Sequence, residues 1–303
     1  MTWLRRLSTA AAVGMFFLLA SGVLVTTTGS AAGCGNAWPF CDGDWNTLAT
    51  WIEVNHRAVT GVLGLLILAV SVLAWRQLGH RRDVRRLVGA SLGFLLLQSW
   101  LGAAAVMWGS SPPVLATHFG VSLGAFGAVL LLAVRVRQLA TGRSYRGGPV
   151  PARFRSLLWV SLAWTVGVVY VGAYLRHTHT GLACLGWPLC NGVPVPPLGT
   201  AAFVGFVHRL LAGVLILLVA YAGHLTRPYR QDRPDLFRGS LAALALLLLQ
   251  TLSGWLVVGT LSSIAANVIH SSLVTLFTGV LLYLAMETAP EASTLEERRS
   301  VAV

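Results

Sequence analysis

Eight stretches of roughly 20 mostly apolar residues punctuate this chain, at about 7–28, 50–75, 87–108, 114–134, 156–175, 201–223, 238–260 and 265–286. Each is long enough to cross ~30 Å of hydrocarbon as a helix. Backbone polar groups inside a bilayer must be satisfied within the protein, and a continuous apolar run does that by helix formation. Soluble domains carry about 25% charged residues, against 11% here. The predicted fold class is therefore an all-α integral membrane protein, with the lipid bilayer as its first partner.

The net charge is +12, carried entirely by arginine. On a soluble protein it would suggest nucleic acid, but its placement excludes that partner. Arg5 and Arg6, the 76–86, 135–155 and 227–238 loops, and Arg298 with Arg299 all fall on one side of the eight-span topology. The opposite loops hold Asp42, Asp44 and one arginine, Arg176. This positive-inside asymmetry places both termini in the cytoplasm. "RRLSTAAAVGMFFLLASG" has the start of a secretory signal and "AAGC" before Cys34 resembles a weak lipoprotein box. The apolar region is too long for a typical signal core, so a membrane-spanning helix is expected instead.

The chain repeats itself. "HRAVTGVL" at 56–63 matches "HRLLAGVL" at 208–215, an offset of 152 at which His118 also matches His270, Gln98 matches Gln250 and Gly102 matches Gly254. "CGNAWPFC" (34–41) and "CLGWPLC" (184–190) follow at nearly that offset. Five landmarks in one order predict two tandem four-helix bundles. Units with an even number of spans insert in the same orientation, so a pseudo-twofold axis along the membrane normal relates them. The expected division is 1–136 for the first half, 137–155 for an Arg-rich cytoplasmic linker, 156–287 for the second half and 288–303 for a polar, disordered tail.

His56, His118, His208 and His270 lie about five to seven residues into the even-numbered spans, roughly 8–10 Å below one boundary. A lone intramembrane histidine is often only an interhelical hydrogen-bonding group. Four at one depth, duplicated in pairs 62 residues apart, point instead to metal ligation between facing helices. Zinc asks for three or four ligands with some closely spaced. Two histidines on opposing apolar helices suit the axial positions of a haem iron. The chain has no C-x-x-C-H for covalent attachment, so the prediction is two b-type sites, one per half. His80 and His224, among arginines at cytoplasmic helix ends, are expected to be solvated. His177 and His179 fall in an outer loop, as surface or lid residues.

Glu53 precedes His56 by three residues and shares its helix face, yet its repeat position is Gly205. Arg57 and Arg209 do repeat, and each follows a proposed ligand directly. Pairing with haem propionates or snorkelling to the surface are the two roles open to them. A carboxylate in low dielectric is costly unless paired or protonated. Glu53 is therefore either a structural partner, for Arg57 or an outer-loop group, or a group placed for proton transfer. The asymmetry favours the second role, making the first half a reaction site and the second a cofactor or relay site. The cysteines lie two per outer loop in an oxidising compartment, which predicts disulfides Cys34–Cys41 and Cys184–Cys190. A structural role and exchange with an external thiol are both open to them. Gln98 and Gln250 read as helix-packing residues that make an interhelical hydrogen bond.

Taken together, the ordered set "ExxHR" at 53–57, "HR" at 208–209, His118, His270 and the loop pair in "GCGNAWPFC" resembles the haem A synthase family over nearly the whole chain. The resemblance implies a bacterial cell-membrane oxidoreductase that oxidises a methyl group of haem O to a formyl group by successive hydroxylations. It further implies that His56 and His118 hold substrate haem O, with Glu53 aiding proton removal or positioning water. His208 and His270 would then hold haem b as a relay. Haem O synthase, cytochrome oxidase assembly factors and an electron acceptor are the implied partners. The rival reading is a dihaem electron-transfer protein that leaves haem unmodified. That rival predicts haems stacked towards opposite membrane sides, whereas these four histidines share one side.

Overall fold

The computed structural model describes residues 1–109, 111–144, 148–187 and 189–289. The expected tail from residue 290 on, with Arg298 and Arg299, lies outside the described residues, as does Arg146 of the linker. The described residues form eight helices long and apolar enough to cross a membrane. They are α1 (Thr2–Thr27), α2 (Leu48–Leu78), α3 (Arg82–Met107), α4 (Pro112–Thr141), α5 (Phe154–His177), α6 (Ala201–Thr226), α7 (Pro234–Gly259) and α8 (Ile264–Glu287). Helices α2, α4, α6 and α8 start at one end of the bundle, called here the disulfide end. A hydroxyl residue stands before each: Thr47, Ser111, Thr200 and Ser263. Thr47, Thr200 and Ser263 accept the N–H three residues on, and Ser111 precedes a proline at the first helical position. Both devices satisfy or remove otherwise orphaned backbone donors.

The residue distribution is the one a bilayer selects. Leu65, Leu96, Leu217 and Leu252 point outward, while Ser71, Ser91, Ser161 and Ser240 are buried between helices. Lipid tails are as apolar as leucine, so small residues that permit close helix approach hold such bundles together. One core cluster is drawn from α1–α4, with Val169 and Val274 added, and another from the second linker boundary through α5–α8. Between them α1 packs on α8, α4 on α5, and α4 on α8. The last crossing is reciprocal. Gly127 faces Leu282, and Leu130 faces Gly279, where an added Cβ would lie 2.9 Å from the leucine. These two contacts exchange when the offset of 152 is applied, as contacts across a twofold axis do.

At the opposite end α4 continues to Thr141, so Arg135 and Arg137 stand on the helix and not in the preceding loop assignment of 135–155. The reason is pairing: buried Arg135 donates to Asp83 at 2.6 Å and to Gln138 at 3.2 Å. Arg81 and Asp83 form a 3.5 Å ion pair at the start of α3. Arg233 and Asp235 form a 2.8 Å pair at the start of α7. Both members of this pair recur at the offset of 152, a landmark absent from the sequence reading above. Arg233 also caps the Glu287 carbonyl at 3.2 Å, and Gln138 bonds the Glu287 carboxylate, tying α4, α7 and α8 together.

Candidate functional site

Each of the four histidines rests on a glycine of the preceding helix. A Cβ at Gly22, Gly102, Gly172 or Gly254 would lie 3.4, 3.5, 2.7 or 3.3 Å from Cε1 of His56, His118, His208 or His270 respectively. The glycines let helix and imidazole approach without an intervening methyl group. Gly102 and Gly254 obey the offset of 152, but Gly22 and Gly172 are 150 apart, as are Cys34 and Cys184. The register in α1 and α5 therefore differs from that in α2 and α6, and the outer loops absorb the change. His177 consequently matches Thr27, and it is the last residue of α5, half-buried, while His179 is exposed beyond it. His80 and His224 are exposed.

Two hydrogen-bond patterns orient the rings. Gln98 Nε2 lies 2.9 Å from His118 Nε2, and Gln250 Nε2 lies 3.1 Å from His270 Nε2. An amide nitrogen donates only, so in both cases Nε2 accepts and the proton resides on Nδ1. His270 Nδ1–H donates to Ser253 Oγ at 2.9 Å, whereas the buried Nδ1 of His118 has no partner. His56 Nδ1 meets Ser21 Oγ at 2.7 Å. The interhelical bonds expected of the two glutamines thus go to imidazoles. Their shared offset and the spacing of 20 across each short hairpin were the available signals.

Arg57 and Arg209 reach the disulfide loops. Cys34–Cys41 and Cys184–Cys190 are bonded, with Cα–Cα separations of 4.6 and 4.8 Å. Arg57 Nη1 donates to the carbonyls of Ala37 (2.8 Å) and Phe40 (2.7 Å). Arg209 donates to those of Cys184 (2.6 Å), Gly186 (2.8 Å) and Leu189 (3.4 Å). Backbone carbonyls leave no trace in a sequence motif, so these clamps emerge only from the structure.

Glu53 is 3% exposed. Its Oε1 accepts from Arg57 Nε (3.1 Å) and Nη2 (2.5 Å), and its Oε2 accepts from the Cys34 N–H (2.8 Å). It thus joins the arginine to the first cysteine of the loop. At the equivalent position a Cβ on Gly205 would stand 2.9 Å from Cys184 Cβ. The second loop occupies the volume that a carboxylate would need.

These seats suit a haem held by paired imidazoles. All four rings are half-buried and not sealed in the core. His118 and His270 direct an Nε2 lone pair at a movable carboxamide, and His56 and His270 already have an Nδ1 partner of the kind that orients metal-bound imidazole. The buried, unpartnered Nδ1 atoms of His118 and His208 mark unsatisfied polar positions in the same places.

Comparison with known proteins bears on which chemistry these seats serve. A family model described as cytochrome oxidase assembly protein, COX15-CtaA, matches residues 44–285. The chain is 40% identical over 286 residues to heme A synthase of Geobacillus kaustophilus, covering 93% of this chain and 90% of that protein. It is 39% identical to heme A synthase of Geobacillus thermodenitrificans, with 90% and 87% covered. With heme A synthase of Lysinibacillus sphaericus the identity is 38%, and 95% of each chain is covered.

Proposed function

We infer that this chain, which belongs to the COX15-CtaA family of cytochrome oxidase assembly proteins, acts as a haem A synthase. Relatives matched over 87–95% of their own length carry that activity in their names. The reaction oxidises a methyl group on the rim of haem O to a formyl group by successive hydroxylations. Written with water as the oxygen donor, R–CH3 and one water give R–CHO, four protons and four electrons, the electrons leaving to an external acceptor. The observation that carries the reading is the pair of matched imidazole seats, only one of which has a carboxylate beside it.

Two four-helix halves related by an axis along the membrane normal are supported by the reciprocal Gly127–Leu282 and Leu130–Gly279 crossing. In this reading His56 and His118 hold substrate haem O in the first half, and His208 and His270 hold haem b in the second. When bound, haem b supplies one-electron relay chemistry. Gly22, Gly102, Gly172 and Gly254 set ring depth, Ser253 accepts from His270 Nδ1 and Ser21 bonds His56 Nδ1, partners that would leave Nε2 of these rings for a haem iron. Glu53, one turn from His56, accepts a proton from the reacting group or from a water beside it. Arg57 holds Glu53 in place through two bonds while anchoring the loop across the mouth of the site. Arg57 and Arg209 are also the cations available to the haem propionates. The arginine-rich end faces the cytoplasm, which puts the seats and disulfides near the opposite face. Haem O synthase and oxidase assembly factors are the expected neighbours, with an external electron acceptor.

Expression in a bacterial host that makes haem O but not haem A tests the activity. The extracted haem should give the mass and pyridine-haemochrome spectrum of haem A. Recovery of haems B and O alone would refute the reading.

A further inference from the structure

Arg176 is the one arginine in the loops of the disulfide end in the sequence-based topology, and nothing in the proposed chemistry uses it. It is the penultimate residue of α5, in the second half. Its Nη2 donates to the Val23 carbonyl (2.8 Å) and to the hydroxyls of Thr26 (2.6 Å) and Thr27 (2.6 Å). All three acceptors belong to the end of α1, in the first half. The Val23 carbonyl also accepts the Thr26 (3.1 Å) and Thr27 (2.5 Å) hydroxyls, so the guanidinium completes a cluster of oxygens at the partially negative end of the helix, where a cation is stabilising. In the α1–α5 register Arg176 stands at the position of Thr26, one of the residues it bonds. It therefore has no counterpart that could perform the reverse clamp.

The residues immediately before this clamped turn are Ser21 and Gly22. Ser21 Oγ sits 2.7 Å from His56 Nδ1, and Gly22 forms the floor under the same ring. Val23, whose carbonyl Arg176 holds, is 2% exposed, so the turn is fixed by packing on one side and by the guanidinium on the other. We propose that Arg176 is a positioning residue for the first-half site: by clamping the end of α1 it holds Ser21 and Gly22 against His56. The second half of the chain thereby sets the ligand geometry of the first. The role of His56 as a haem ligand rests on the proposed function, but the clamp itself does not.

The test uses the full-length, haem-free chain in lipid nanodiscs, comparing wild type with Arg176→Gln and with the double variant Thr26→Val/Thr27→Val. Amide hydrogen exchange and carbethoxylation of individual histidines by diethyl pyrocarbonate are both read by mass spectrometry. Arg176→Gln should speed amide exchange in residues 24–28 about tenfold, the effect of losing charge-assisted hydrogen bonds. It should also raise His56 modification several-fold, with the exposed His224 at the opposite end of the bundle unchanged as the internal reference. The double variant, which keeps the arginine, should move both readouts in the same direction by less. Unchanged rates at the end of α1 and at His56 in Arg176→Gln would overturn the proposal, as would an equal rise at His224. If Arg176→Gln fails to fold, unchanged rates in the double variant would overturn it too. Absence of haem from the first half of the wild-type protein would refute the function and leave these haem-free measurements decisive for the clamp.

Discussion

At the disulfide end of α2, Arg57 divides its guanidinium between Glu53 and the carbonyls of Ala37 and Phe40. At the same end of α6, Arg209 grips the carbonyls of Cys184, Gly186 and Leu189, and Gly205 stands where the glutamate would be. Both halves share an arginine-clamped disulfide loop over a pair of glycine-seated histidines. They part over one carboxylate, and the cause is volume: Cys184 packs directly over Gly205, whereas the Cys34 N–H is set back far enough to be reached by a glutamate. A local difference in how the loop lies on the helix thus leaves a carboxylate beside one pair of histidine seats and none beside the other.

The sharpest way to break this comparison is Glu53→Gln. A glutamine still accepts from the Cys34 N–H, so the loop and both seats should survive. Formyl formation, measured as the haem A to haem O ratio in extracts, should fall about 100-fold or more, the scale of a lost acid–base group. Normal product would reduce Glu53 to a loop anchor. Glu53→Ala removes the anchor as well and should lose both the product and the ordering of residues 34–41.

Moving the carboxylate is the complementary change. Gly205→Glu should not create a second reactive half. It should instead destabilise the protein by about 1–3 kcal/mol through overpacking against Cys184, read as a lower thermal midpoint. A stable variant with a glutamate at 205 would show that volume does not separate the halves.

The loops come next in size. Replacing Cys34 and Cys41 by serine together should cost about 2 kcal/mol, the chain-entropy scale of so short a closed loop. The same change at Cys184 and Cys190 should cost a similar amount. In the first half it should also slow formyl formation, because Glu53 loses the ordered Cys34 N–H.

Ser253→Ala should have the smallest effect, on the order of 0.6 kcal/mol of stability, typical of one interhelical bond. Its signature is electronic. Losing the acceptor for His270 Nδ1–H weakens the imidazole as a donor, so the midpoint potential of haem b should rise while the haem remains bound. Ser21→Ala, acting through His56, should leave that potential where it was.

The sequence alone exposed the eight helices, the duplication, the four histidines and both disulfide pairs, because each depends on side-chain type at fixed spacing. Gln98 and Gln250 were visible at the same offset, but a mid-span amide has a ready explanation in helix packing that hid its contact with the imidazoles. Arg81 with Asp83 and Arg233 with Asp235 recur at that offset too, and were passed over as part of a charged boundary. The partners of Arg57, Arg209 and Arg176 include backbone carbonyls, which have no residue identity to read. The 150-residue register of α1 and α5 was masked by the 152 that holds in the other three pairs.

The central claim is that one half holds the substrate and the other the resident haem. Extraction and quantification of haem from purified His56→Ala and His208→Ala, made in a host that supplies haems B and O, tests it most directly. His56→Ala should retain haem B and lose haem O and haem A. His208→Ala should lose haem B and still bind haem O. Loss of the same haem from both variants, or the reverse assignment, would contradict the account.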